Sequence, residues 1–307
     1  GNAPLLGGLA AVALHRQGWC SYEEQHLAAR SEGATPTPEV AGKLPFGSIG
    51  KVKISRMILG GNVMGGWAHA RDLIYVSKLV KEYHTREKCF ETFQIAESCG
   101  VNTFSTNPVL LDLVNDYWRS TGGKIQLISD CGGKDLLEMT QLSIDKGVSA
   151  CYVHGGVADK LVREKNFDLI AKALELTRKN GLPAGIGGHE IETVAGCVAQ
   201  GILPDFWMKT LHRGDYWSAQ PTVKNDNIWC DRQDEVIALM KSLDQPWIAF
   251  KTMAAGAIAP KDGFRYAFES GADFICVGAF DFQISDDVAI AAEVLSGPLP
   301  RQREWRA

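Results

Sequence analysis

Four residues of the 307-residue chain combine reactive side chains with positions that could bring them together. They are Asp130, His154, Lys209 and Lys251, and each closes or follows a short apolar run: IQLIS, ACYVH, DFWMK and WIAFK. An imidazole titrates near neutrality and suits general acid–base work, with a carboxylate as its complement. Of two lysines on adjacent strands, one can have its amine pKa depressed, as a nucleophile toward carbonyl compounds requires. The expected catalytic set is therefore Asp130, His154, Lys209 and Lys251. A second set ends the other runs or lies on two long loops: Asn62, Trp67, Ser105, Asn107, His189, His212, Tyr216 and Trp217. These are the expected substrate contacts. Flat aromatic faces with polar edges suit sugar rings and other small polar molecules. His154, His189, His212, Asp130 and Asp281 are also metal-ligand types, so a divalent metal is a second option, although their spacing matches no known motif. Cys131, beside Asp130, reads as a nucleophile or as packing.

The elements that must position these residues follow a rhythm. A glycine closes a helix and an apolar run follows, as at Gly100-Val101, Gly147-Val148, Gly181-Leu182, Gly201-Ile202 and Gly271-Ala272. Glycine is the cheapest residue for the left-handed position past a helix end. Continuous apolar runs fit strands buried on both faces. The runs lie at 56–61, 102–106, 125–129, 150–154, 183–187, 205–209, 247–251 and 274–278. Helical periodicity separates them, as in Ile191, Val194, Ala195 and Val198. Thr85, Asp231 and Ser285 read as N-caps, and Pro260 suits a first helical position. Eight such units over about 250 residues predict an α/β fold, a single (β/α)8 barrel with its chemistry where the strands end. A doubly wound sheet is second, because no G-x-G-x-x-G follows the first strand. LPFGSIGKVKIS predicts a hairpin plugging the barrel floor, with Gly47 to Gly50 at its turn.

Side chains alternate along a strand. If Phe206, Met208, Ile248 and Phe250 lie under the helices, Lys209 and Lys251 point into the lumen. The same logic turns Asp130 and His154 inward, so that all four converge. The alternative is a set of internal ion pairs at the rim. Gly256 and Gly278 read as an anion pocket or as tight turns, and His15 and His84 as solvated.

Composition limits the partners. Net charge is −4 with 22% charged residues, and no Lys/Arg run supplies a nucleic-acid footprint. No apolar stretch reaches the roughly 18 residues of a membrane span. A small-molecule substrate remains the expected partner; oligomeric state is not legible. Eight scattered cysteines without a C-x-x-C pair read as reduced, mostly buried thiols. Residues 1–43 read as an extension and linker, 44–295 as the barrel and 296–307 as a surface tail in which Trp305 is an anchor or a partner contact. The run LLGGLAAVAL, Leu5 to Leu14, is consistent either with an export signal or with a helix covering the barrel floor in a cytoplasmic protein.

FGSIGKVKISRMILGGN resembles the opening of the aldo/keto reductases, where a hairpin leads into a first strand ending in L-G-x-G. ESCGVNTFST resembles their second strand, YVHG their fourth and GADFICVG their last. The resemblance spans Leu44 to Leu295 and implies their barrel. It does not imply their chemistry. The positions of the family's catalytic Asp, Tyr, Lys and His are occupied by Ser105, Leu110, Asp130 and His154, so only the histidine matches. The NADPH phosphate clamp after the last strand is replaced by Asp281, Asp286 and Asp287, which does not support NADPH. The chain resembles a diverged bacterial subgroup. The expectation is an enzyme for a small polar or carbohydrate-like carbonyl compound that lacks the usual tetrad. Alternatives are a metal-assisted lyase, isomerase or hydrolase, an atypical NAD(P)-dependent oxidoreductase, and a non-catalytic binding barrel.

Overall fold

The computed structural model describes residues 44–307 except 134, 221, 223 and 224. The extension, the linker, the apolar run at Leu5 to Leu14 and His15 lie outside the described residues. An antiparallel hairpin, β1 (Phe46–Ile49) and β2 (Val52–Ser55), precedes the barrel strands. These are β3 (Met57–Gly60), β4 (Thr103–Thr106), β5 (Gln126–Cys131), β6 (Ala150–Val153), β7 (Ala184–Gly188), β8 (Phe206–Thr210), β9 (Trp247–Phe250) and β10 (Phe274–Val277). They close in the order β10-β3-β4-β5-β6-β7-β8-β9, all parallel. Closure excludes the doubly wound sheet, and each strand coincides with a run read from the sequence.

The helices are α1 (Val76–Tyr83), α2 (Arg86–Ser98), α3 (Leu111–Thr121), α4 (Leu136–Asp145), α5 (Gly155–Arg163), α6 (Phe167–Lys179), α7 (Ile191–Ala199), α8 (Gln233–Lys241), α9 (Pro260–Glu269) and α10 (Asp281–Ser296). Thr85 caps α2 by accepting from Lys88 N at 3.3 Å, and Pro260 opens α9. Two expected caps differ. Arg232, not Asp231, precedes α8, and Ser285 lies inside α10, which Phe280 precedes. Gly147 (φ 82°) and Gly271 (φ 108°) hold the left-handed positions that end helices.

The hairpin fills the barrel. Ile49, Val52 and Ile54 share one apolar cluster with Ile58, Ile128, Ala150, Tyr152, Phe206, Met208, Ile248 and Phe274. The turn falls at Gly50 (φ 56°); Gly47 lies within β1, where a Cβ would come within 2.6 Å of the Arg56 guanidinium.

This cluster corrects the expected side-chain parity. Phe206, Met208 and Ile248 face the lumen, while Trp207 and Trp247 pack under the helices. Lys209 follows Trp207 outward. The expectation failed because a barrel interior is itself a packed core, so apolar residues belong on both faces of these strands.

The C-terminal residues, read as a surface tail, are docked on the barrel floor. Asp273, fully buried at the start of β10, accepts from Trp247 N (2.9 Å), Arg306 N (2.7 Å) and Arg303 Nη1 (2.6 Å). Trp305 lies between the guanidinium groups of Arg56 (4.1 Å) and Arg301 (3.4 Å). A buried carboxylate needs a partner, and the arginine-rich end supplies it.

Candidate active site

Asp130 points into the lumen from the end of β5, in the same pleat as Ile128. It stays half-buried and makes no hydrogen bond or ion pair with a described residue. Burial, with Cys131 adding to it, pushes its carboxyl well above the usual range, which makes it a neutral acid. Tyr152 lies beside it. Burial raises the phenol far above its ordinary value, and Asp130, Cys276 and Ser105 stand close enough to influence it. The sequence reading passed over Tyr152 because it sits inside the apolar run ACYVH. Its spacing of two from His154 was the available signal.

A second group gathers at the C-terminal mouth. His154 follows β6 and precedes α5, close against Gly132, where a Cβ would lie 2.9 Å from its own. Burial, then the neighbouring His189, with Lys251 contributing, lowers His154 to about 4. His189 follows β7, with its ring 5.1 Å from Trp229 and 5.4 Å from Phe250. Lys251 follows β9 with φ 60°, a left-handed conformation uncommon for a side-chain-bearing residue. Its Nζ lies 3.8 Å from the Trp229 ring centroid and makes no hydrogen bond or ion pair with a described residue. Burial lowers it to about 7, opposed weakly by Asp226. The indole face favours the charged form by about 0.5–2 kcal/mol, which reduces the shift without reversing it. His69 stacks on Trp229 at 4.8 Å and pairs with Asp226 at 2.9 Å.

Lys209 is elsewhere. Its side chain is 1% exposed in the helix layer, and Nζ donates to His189 O (2.8 Å) and Thr210 Oγ1 (2.7 Å). Burial lowers it to about 8. The convergence of two lysines in one lumen is therefore corrected. Lys251 reaches the mouth; Lys209 braces the turn that carries His189.

Several expected substrate contacts hold loops. His212 Nε2 accepts from Trp229 N and Cys230 N, both at 2.9 Å, so Nδ1 carries the proton and donates to Arg213 O at 2.7 Å. Both ring nitrogens are used in fixing the loop that presents Trp229. Tyr216 donates to Asn227 O at 2.8 Å, and Trp217 is 68% exposed beside Arg71. Asn107 accepts from Val109 N at 2.9 Å, and Trp67 is half-buried over Gly65. Asn62 is exposed in the turn after β3, and Ser105 is buried beside Tyr152. His84, read as solvated, is buried, with Nδ1 donating to Val80 O.

Asp281 accepts from Tyr83 Oη (2.6 Å) and pairs with Lys88 (3.1 Å), so its charge is compensated. With His212 and Asp281 engaged in this way, the five expected metal ligands do not assemble. Among the described residues no three His, Cys, Asp or Glu side chains group as a metal site. The described cysteines are free, and five of the seven are buried.

No protein-family model matches the chain, and neither does any curated protein. Solved structures do. One, described as "Putative aldo-keto reductase from Pseudomona aeruginosa", is 15% identical with a TM-score of 0.55, over 82% of this chain and 94% of that one. A second, a crystal structure described as "the putative aldo-keto reductase" from the same organism, is 16% identical with a TM-score of 0.55, over 82% and 95%. At these identities the likeness is one of fold: the chain shares the (β/α)8 barrel of these structures.

Proposed function

We propose that this barrel is an enzyme that activates a small, uncharged, hydroxylated carbonyl compound as an imine on Lys251. The observation that carries this reading is the placement of the Lys251 amine at the catalytic face, against Trp229 and Phe250, without an oxygen partner among the described residues. An unpaired amine in a water-poor site loses its proton readily, and a neutral amine is the nucleophile that a carbonyl carbon requires. The C–N bond forms as the amine attacks. The carbonyl oxygen then departs as water with the two hydrogens of the amine, leaving C=N, an electron sink for cleavage, isomerisation or elimination at the next carbon.

The surrounding groups suit a neutral polyhydroxylated molecule. Asp130, in the lumen, is a protonated acid, His154 a neutral imidazole, and Trp229 Nε1 a buried donor without a partner among the described residues. Each offers a hydrogen bond without a net charge, which favours hydroxyls over carboxylates or phosphates. The reductase positions carry little of the family's chemistry, since Leu110 has no proton to donate and packs against the core. A second reading, a nicotinamide-dependent reductase with a rebuilt tetrad, draws on the Tyr152 phenol beside Asp130. Quenching of tryptophan fluorescence by NADH or NADPH would favour that reading.

Reductive trapping tests the first. About half of an amine of pKa near 7 is neutral at pH 7, against about one in 2,500 for an ordinary lysine. Glycolaldehyde with cyanoborohydride should therefore modify Lys251 on the order of a hundred-fold faster than surface lysines, and Lys251→Met should lose the fast adduct. A mass adduct spread evenly over surface lysines overturns the proposal.

A further inference from the structure

His189 sits in a seat built from two neighbouring units of the barrel. Gly155, the first residue of α5, leaves the space: a Cβ there would lie 2.8 Å from His189 Cε1 and 3.1 Å from Nδ1. One turn along the same helix, Asp159 is 4% exposed and turns its carboxylate onto the β7–α7 turn. Oδ2 accepts from His189 Nδ1 at 2.8 Å, and both oxygens lie 3.1 Å from His189 N. Oδ1 also accepts from Thr193 Oγ1 at 2.6 Å and Glu190 N at 3.3 Å. Lys209 Nζ holds the His189 carbonyl, and Trp229 and Phe250 flank the ring.

Every partner of Asp159 is a donor, which only an ionised carboxylate satisfies fully. Burial alone would raise its pKa; the hydrogen bonds from His189 and Thr193 outweigh burial and hold it below the ordinary range. With Nδ1–H committed to Asp159, the neutral ring keeps its lone pair on Nε2, which has no hydrogen-bond partner among the described residues. His154 has no such carboxylate bond. The two rings divide the work: His154 stays neutral through the physiological range, and His189 is held in one orientation by the Asp159 carboxylate.

We propose that His189 is the proton-transfer group of this mouth and that Asp159 is its positioning residue, fixing one proton on Nδ1 so that Nε2 can take and return another. This rests on the imine reading of Lys251. In imine formation two protons pass in succession from the attacking nitrogen, through Nε2, to the carbonyl oxygen. The oxygen leaves as water and no net proton is consumed. The titratable groups facing His189 are Asp159 on α5, His154 after β6, Lys251 after β9, and the His69–Asp226 pair on the loops. Lys209 reaches its carbonyl from β8.

The test uses the full chain labelled with ¹⁵N-histidine. At pH 8 the wild-type spectrum should show His189 protonated on Nδ1. In Asp159→Asn the one carbonyl oxygen is kept by Thr193 Oγ1 and Glu190 N, so the amide group faces Nδ1 as a donor and the tautomer should switch to Nε2–H. Trapping of glycolaldehyde on Lys251 should then slow about ten-fold or more, as it should in His189→Gln. A merely structural Asp159 would lower stability without changing the tautomer. Wild-type His189 protonated on Nε2, or a trapping rate unchanged in His189→Gln, overturns the proposal. The wild-type spectrum decides the first point even if the variant does not fold. An intact Nδ1–H tautomer with no fast Lys251 adduct supports the Asp159–His189 pair and overturns the imine reading.

Discussion

At the floor of the barrel, Asp273 and Arg303 are both buried, and they face each other at 2.6 Å. At the other end, Lys251 and His154 at the mouth and Asp130 in the lumen have no such counter-ion among the described residues, and burial drives each toward its neutral form. The two ends bury ionisable groups in opposite ways. Pairing at the floor keeps the charges and uses them to fix the C-terminal residues against the strands. Leaving groups unpaired at the mouth removes the charge: it brings Lys251 into the range where amines attack and leaves His154 a neutral imidazole. Burying an unpaired ionisable group costs stability, so the mouth is a net expense that the rest of the fold offsets.

Breaking the floor should produce the largest effect. Asp273→Ala leaves the Arg303 guanidinium buried without its counter-ion and frees Trp247 N and Arg306 N. Loss of one partner of a buried pair costs about 3–5 kcal/mol, read as a lower urea midpoint. Lys251→Met should go the other way, because it removes an amine whose burial is uncompensated. The ordinary amine titrates near 10.5 and the folded one near 7. Between these values the unfolded chain holds more protons, so wild-type stability rises with pH across that window. The methionine variant lacks this slope. It should be more stable than wild type at pH 7 by about 1–3 kcal/mol, discounted for the partly open mouth, with the gap closing toward pH 10.5. If Lys251→Met were destabilised as much as Asp273→Ala, the contrast between the two ends would fail.

The sequence reveals one end better than the other, for physical reasons. The strands are legible because left-handed glycines such as Gly147 and Gly271 punctuate continuous apolar runs. The plug is legible because Ile49, Val52 and Ile54 surround a tight turn, and the resemblance to the aldo/keto reductases anticipated this fold. Side-chain parity is not legible. Phe206, Trp207 and Met208 are apolar in succession, and a closed barrel buries both faces of a strand, so alternation leaves no mark. Lys209 deceived for the same reason: a long aliphatic stem can be buried if carbonyl and hydroxyl oxygens receive its amine. Asp159 was hidden in the charged stretch ADKLVREK, where it resembles any solvated helix residue. Only the fold brings it to His189, thirty positions away. Arg303 was hidden by its place near the chain end.

Asp130→Asn should have the smallest effect at acid pH, and its pH dependence gives the sharpest contrast with the floor. The folded carboxyl titrates well above the ordinary range, so the native protein holds its proton after the unfolded chain has released one. Wild-type stability therefore falls as pH rises above about 4, the unfolded aspartate range. Asparagine has nearly the same shape and hydrogen-bonding capacity as a protonated aspartic acid, and no proton to lose. Near pH 4 the two proteins should match to within about 0.5 kcal/mol. Above that the variant should become progressively more stable than wild type in urea titrations at successive pH values. Asp273 is paired with Arg303 at 2.6 Å, so Asp273→Asn should show the reverse, a loss that persists at neutral pH. A falling advantage of Asp130→Asn with rising pH would mean that Asp130 is ionised in the native lumen and has a cationic partner there. The unpaired mouth would then be a second paired site.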